Sequence, residues 1–216
     1  KPVVTDIIPF PISPKSPVSP QQLLGLAASL EQGSEHSLAE AIVTKAKEQK
    51  LALSKVTNFK AIAGHGIVGA VGNQTLSLGN RALMDKERVS YASEEKSIAA
   101  LEQQGKTVML LAANKKLLGL IAVADTLKAE AKDMVSELKR TNVDVWMITG
   151  DNERTAKAIA KQAGIDNVLA GVLPDQKADK VKGLKSSPDH PDHPNVVAFA
   201  GDGINDAPAL AAADVG

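Results

Sequence analysis

Hydrophobic residues recur along this chain in two textures. At the start they fall at helical spacing: Leu23, Leu24, Ala27 and Leu30 predict a helix over 21–32, with Gly33 as its C-terminal cap. Leu38, Ala41, Ile42 and Ala46 predict a second helix, capped by Ser34, with Glu35 at the positive end of its dipole, running to about residue 49. The pattern then shortens into glycine-broken runs that predict strands at 56–62, 67–71 and 75–78. Gly64-His65-Gly66 turns the first connection and Gly72-Asn73 signals a hairpin in the second. Helices at about 81–85 and 93–104, the latter ended by Gly105, precede strands at 107–112 and 117–123 around Asn114-Lys115. Six of the eleven prolines lie in the first twenty residues, which therefore read as an extended connection with one short strand at 3–8.

From Asp125 onwards helix and strand alternate strictly. Helices are expected at 128–140, 153–163, 175–184 and 206–212, and strands at 143–148, 168–169 and 196–200. Short apolar strands between such helices imply a parallel sheet buried on both faces. The fold class is α/β, with a boundary near residue 122. Residues 1–121 form an antiparallel α+β half, and residues 122–216 form a doubly wound parallel-sheet half. Only 186–195 (SSPDHPDHPN) is of low complexity.

Composition narrows the class. The 216 residues suffice for one large domain or two modest ones. Lys+Arg and Asp+Glu balance at 25 each, which argues against a nucleic-acid partner, since phosphate binding needs a surplus of cations. With no cysteine there is neither a disulfide framework nor a thiolate metal site. The longest apolar run, 117–124, is far below the roughly 18 residues of a membrane span, and no signal peptide opens the chain. A soluble, cytoplasmic protein is expected. Its five aromatics leave the cores to Val, Ile, Leu and Ala.

Three loops at the carboxyl ends of predicted strands carry chemistry, where open α/β sheets bind ligands. Thr149-Gly150-Asp151-Asn152 joins a hydroxyl, a glycine and a helix N-terminus, which suits a phosphoryl group. Lys177 places a cation at a helix start. In Gly201-Asp202-Gly203-Ile204-Asn205-Asp206 hard oxygen ligands crowd one turn, which favours Mg²⁺. Taken singly, the first is a turn with an N-cap and the second a solvated lysine; the third resists a purely structural reading.

The order of these loops resembles the haloacid-dehalogenase-like phosphoryl-transfer domain in the form used by P-type ion-pumping ATPases. MITGDNERTAKAIAKQAGI (147–165) and AGDGINDAPALAAADVG (200–216) are similar to the heavy-metal-transporting branch. The resemblance implies that Thr149 and Lys177 contact the phosphoryl group, with Gly150 and Asp151 in the same catalytic loop. It implies that Asp202 holds Mg²⁺ with support from Asn205 and Asp206, and that Asp125 matches a hinge aspartate near bound nucleotide.

In the first half, Ser34-Glu35-His36-Ser37, Gly64-His65-Gly66 with Ile67, and Gly79-Asn80 resemble that branch's nucleotide-binding signatures, which implies ATP as ligand. An imidazole can stack on adenine, Glu35 can accept from its amine, and glycines admit the nucleotide to the backbone. Ser37 stands where the branch has proline, so His36 is expected to be held less rigidly and nucleotide more weakly. The phosphorylated aspartate of the branch lies in a DKTGT motif, and no such string occurs here. The chain is therefore expected to bind nucleotide but not to autophosphorylate. Its partners would be the transmembrane and actuator domains of an inner- or plasma-membrane pump, with the transported ion bound elsewhere in that protein. Residues 78–84 and the Gly-His-Gly-Ile turn are most similar to the copper-exporting subgroup, with zinc or cadmium left open. A soluble phosphatase of the same superfamily and a non-catalytic nucleotide-binding module are the rivals. His190 and His193 read as part of a solvated loop rather than a metal site.

Overall fold

The centre of the fold is the hairpin of Thr107–Ala113 (β5) and Lys116–Ala124 (β6), nearly every residue of which is buried. Asn114 and Lys115 join the two strands with φ of 48° and 65°, the left-handed pair that matches the strand twist in a tight hairpin. In this computed structural model, which describes residues 2–11, 18–34, 36–125, 127–128, 130–186, 195–201 and 206–216, the hairpin is built into a six-stranded sheet. Val3–Pro9 (β1), Thr57–Ile62 (β2), Gly66–Val71 (β3) and Gln74–Gly79 (β4) complete it in the order β1-β6-β5-β4-β3-β2, antiparallel throughout.

Alternation along β5 builds two cores. Met109, Leu111 and Ala113 join Leu23, Leu24, Leu30 and Ile42 from helices Pro20–Glu31 (α1) and Ser37–Glu48 (α2). Val108, Leu110 and Ala112 join Leu83, Met84, Ile98 and Leu101 from Arg81–Lys86 (α3) and Glu95–Gln103 (α4). A sheet covered on both faces explains why β5 and β6 read as unbroken apolar runs. The hairpin expected at Gly72-Asn73 joins β3 to β4.

Two expected helix caps are corrected. Gly33 does not adopt a left-handed cap; α1 ends right-handed at Gln32, and a Cβ on Gly33 would meet the Phe59 ring at 3.6 Å. The N-cap of α2 is His36, not Ser34, because the imidazole Nδ1 itself accepts from the Leu38 N–H.

The second half alternates Ala131–Arg140 (α5), Trp146–Ile148 (β7), Glu153–Ala163 (α6), Asn167–Leu169 (β8), Pro174–Lys185 (α7) and Ala207–Ala212 (α8). β7 and β8 pair in parallel, as expected of this half. The expected strand 143–148 is shorter because the Val143 N–H is spent on the Leu138 carbonyl at the end of α5. The expected strand 196–200 is corrected to an isolated bridge, Ala198 with Val215. There the Val197 N–H turns to the Asp214 carboxylate and the Phe199 N–H to the Val215 carbonyl. The halves meet where α4 packs on α6, and Gly105 (φ 78°) gives the room: a Cβ there would stand 3.3 Å from Ile159 and Gln162. Among the described residues no helix is long and apolar enough to cross a membrane.

Candidate functional site

In the first half, Gly64, Gly66, Gly79 and Asn80 form one built unit. Gly64 has φ 71° and Gly66 φ 140°, conformations that disfavour any side chain. Gly66 lies opposite Gly79 in the β3–β4 ladder, and a Cβ on Gly66 would overlap the Leu78 carbonyl oxygen and the Gly79 Cα. Asn80 closes the unit. Its N–H donates to the His65 carbonyl (2.9 Å), its Nδ2 donates to the Gly64 carbonyl (2.8 Å), and its Oδ1 accepts from the Leu83 N–H (3.2 Å) to cap α3. The surface this leaves is bare backbone. Ile67, next along β3, is buried in the core beneath α1 and α2, so its side chain supports the turn from below.

His36 caps α2 with an exposed ring, its Nδ1 3.4 Å from the Leu38 nitrogen. Among the described residues no hydrogen bond or ion pair joins it to the glycine unit. Glu35 lies outside the described residues, as do Asp202 and Asn205 and the histidines 190 and 193. Asp125 is exposed immediately after β6.

In the second half, Thr149 prolongs the parallel ladder: its N–H donates to the Leu169 carbonyl (3.0 Å) and its carbonyl accepts from the Val172 N–H (3.0 Å). Its hydroxyl donates to Asp151 Oδ2 (3.0 Å) and accepts from the Asp151 N–H (3.1 Å). Asn152 caps α6 through the N–H groups of Arg154 and Thr155, so the turn sits at the positive end of that helix.

Lys177, in α7, donates from Nζ to Asp206 Oδ1 at 2.6 Å, with both side chains largely withdrawn from solvent. This brings together two residues from separate predicted loops. The other Asp206 oxygen lies beside Gly201, where a Cβ would stand 2.8 Å from it. One oxygen of this carboxylate is on a lysine and the other faces the glycine turn. Asp202 and Asn205, expected beside it, lie outside the described residues, and carboxylate and amide oxygens are the hard donors that Mg²⁺ prefers.

The two motif regions approach each other. A Cβ on Gly64 would come within 2.6 Å of Leu173, the residue just before α7, so the glycine turn rests against the start of the helix that carries Lys177. Sequence reasoning missed the residues that tie the halves. The Thr107 hydroxyl donates to Asp151 Oδ1 (2.9 Å), and the buried Thr155 hydroxyl donates to the Lys106 carbonyl (2.8 Å). It also missed Glu31, at the end of α1. Burial pushes this carboxyl up to about 7, and a hydrogen bond from Ser34 only partly opposes that.

The family model described as a haloacid dehalogenase-like hydrolase matches residues 1–214. A copper-exporting P-type ATPase of Staphylococcus haemolyticus (strain JCSC1435) is 48 % identical over 193 residues, 89 % of this chain and 24 % of its own. One of Bacillus subtilis (strain 168) is 44 % identical over 216 residues, 100 % of this chain and 26 % of its own. The chain thus spans about a quarter of the length of these curated relatives. Among solved structures, a zinc-transporting PIB-type ATPase in the E2.Pi state is similar at 38 % identity and a TM-score of 0.59, over 99 % of this chain and 32 % of that one. The catalytic domain of the CPx-ATPase CopB-B, studied for conformational changes upon nucleotide binding, is similar at 26 % identity and a TM-score of 0.71, over 99 % and 70 %.

Proposed function

The chain belongs to the haloacid dehalogenase-like hydrolases, among the heavy-metal P-type ATPases, and from that premise we propose that it is the nucleotide-binding and phosphoryl-transfer portion of an ATP-driven copper pump. Residues 1–121 hold ATP. His36 and Glu35 meet the base, and the bare backbone at Gly64, Gly66 and Gly79, clasped by Asn80, admits the nucleotide. Residues 122–216 receive its terminal phosphate. Thr149 and the N-terminus of α6 hold the phosphoryl oxygens, and Lys177 neutralises developing charge on them. Asp202, Asn205 and Asp206 are the residues that would hold Mg²⁺, which when bound neutralises phosphate charge. Asp125 lies at the connection between the halves.

The observation that carries this reading is the Lys177–Asp206 pair at 2.6 Å. It unites the cation and the carboxylate that phosphoryl transfer needs from two segments 29 residues apart. Asp151, with both carboxylate oxygens engaged by Thr107 and Thr149, acts by holding the turn. Copper as cargo is supported by the 44–48 % identity to copper-exporting relatives, against 38 % to the zinc-transporting structure. No DKTGT string occurs in these 216 residues, and on this reading the chain binds ATP without phosphorylating itself.

Calorimetric titration with ATP tests the reading. Binding that His36→Ala weakens at least severalfold supports it. No binding, or binding indifferent to His36, overturns the assignment of the first half.

A further inference from the structure

Arg154, in the first turn of α6 and three residues past Asp151, reaches back to the other half. Its Nη1 donates to Glu95 Oε1 at 2.7 Å and to Glu102 Oε2 at 3.2 Å, both on α4. Arg81 grips the same carboxylates from the other side. Its Nε and Nη2 lie 3.0 Å from Glu95, and its Nη1 and Nη2 lie 2.5 Å and 3.0 Å from Glu102. Two guanidinium groups and two carboxylates close a charge-balanced square, with forked donors on one side, the stronger geometry for such pairs.

The square is not a loose surface pairing. The Glu102 side chain is 1 % exposed, and leaving a carboxylate so enclosed without its cations is costly. The hydrogen bonds from Arg81 and then Arg154 hold the Glu95 carboxyl below the usual range despite some burial.

Its placement joins two turns. Arg81 directly follows Asn80, whose side chain clasps the glycine unit. Arg154 lies two residues past Asn152, the cap that seats the Thr149 turn at the start of α6. The ties from Thr107 to Asp151 and from Thr155 to Lys106 cross the same boundary, one donated from each half.

We infer that Arg154 is a positioning residue: through Glu95 and Glu102 it fixes the Thr149 turn in one orientation relative to the Asn80 turn. A nucleotide held by the first half then presents its terminal phosphate to the second. That consequence rests on the function proposed above; the orientation itself does not, and is measurable without it.

The absence of cysteine makes the test direct. Asn73→Cys and Lys180→Cys, both at exposed positions, place one spin label on each half of the full chain, and pulsed dipolar spectroscopy reads the distance between them. The parent is expected to give one narrow distribution. Arg154→Ala should broaden it at least twofold while leaving ATP affinity within twofold, and Arg154→Lys should recover most of the narrowing. Glu137→Ala, which removes an exposed ion pair within α5, should change nothing. Raising salt to about 1 M with the parent gives the same comparison without a substitution, because screening weakens the partly exposed Arg154 contacts first. A distribution for Arg154→Ala as narrow as the parent's overturns the inference. Absence of ATP binding in parent and variant alike overturns the reading of the nucleotide half, and the distances alone then decide whether Arg154 sets the orientation.

Discussion

Gly66 and Gly79 stand opposite each other in the β3–β4 ladder, and the volume that a side chain on either would need is filled by the other's strand. The close approach is what lets Asn80 reach both the His65 and Gly64 carbonyls. On the function proposed above, stability and nucleotide affinity depend on the same two missing side chains.

Gly79→Ala would drive its methyl group against the His65 carbonyl oxygen and within 2.7 Å of Leu83. A cost of about 2–4 kcal/mol in urea unfolding is expected, with ATP affinity reduced at least tenfold by calorimetry. Gly72→Ala is the comparison. Its φ of 56° carries strain, but nothing lies within 4 Å of the new methyl, so about 1 kcal/mol is expected with unchanged affinity.

Lys177→Met removes the cation from Asp206, whose side chain is only 13 % exposed. Stability at pH 7 should fall by about 1–3 kcal/mol, because a partly buried carboxylate loses its partner. The double variant Lys177→Met with Asp206→Asn should lose less than the sum of the two single changes. Additive losses in chemical denaturation would contradict a direct interaction.

Glu31 makes stability depend on pH in an unusual direction. Its folded carboxyl titrates near 7, above the ordinary value of 4.5, so between these values the native state binds more protons than the unfolded chain. Its contribution is complete below pH 4.5 and is lost as pH rises through about 7. Glu31→Gln should abolish this slope and raise the melting temperature at pH 8, where up to roughly 3 kcal/mol is at stake. Parallel pH profiles for parent and variant would exclude Glu31 as the source.

Ser37 opens α2, a position where proline is favoured, and His36 before it already has φ −76° and ψ 145°, the extended geometry that a following proline requires. Ser37→Pro should therefore stabilise the chain by about 0.5–1 kcal/mol and tighten ATP binding severalfold. Weaker binding in the calorimeter would show that the serine is adapted to this site.

Most elements were legible because local signals agreed with their surroundings. The unbroken apolar runs of β5 and β6 were legible as strands, though not as strands of a sheet covered on both sides, and Asn152 with Gly164 brackets α6 at both ends. The cap at His36 was hidden because histidine is not a preferred capping residue and a better one, Ser34, stood nearby. The segment 196–200 is as apolar as a strand, yet pairing depends on the neighbours available, which no local pattern records. The site was legible where motifs are contiguous, as in Thr149–Asp151 and Gly64–Gly66. The Thr107–Asp151 and Arg154–Glu95 contacts span 44 and 59 residues, and Thr107, Arg154 and Glu95 each read alone as an ordinary polar residue.

Val3 of β1 pairs with Ala124 of β6, so the first half begins and ends on adjacent strands. Cα atoms across such a pair are about 5 Å apart. Everything between them is a loop whose two ends are closed together, as by a drawstring. Insertions or deletions in its connecting turns would leave the spacing of those two ends unchanged, so the first half can differ in size without displacing the second.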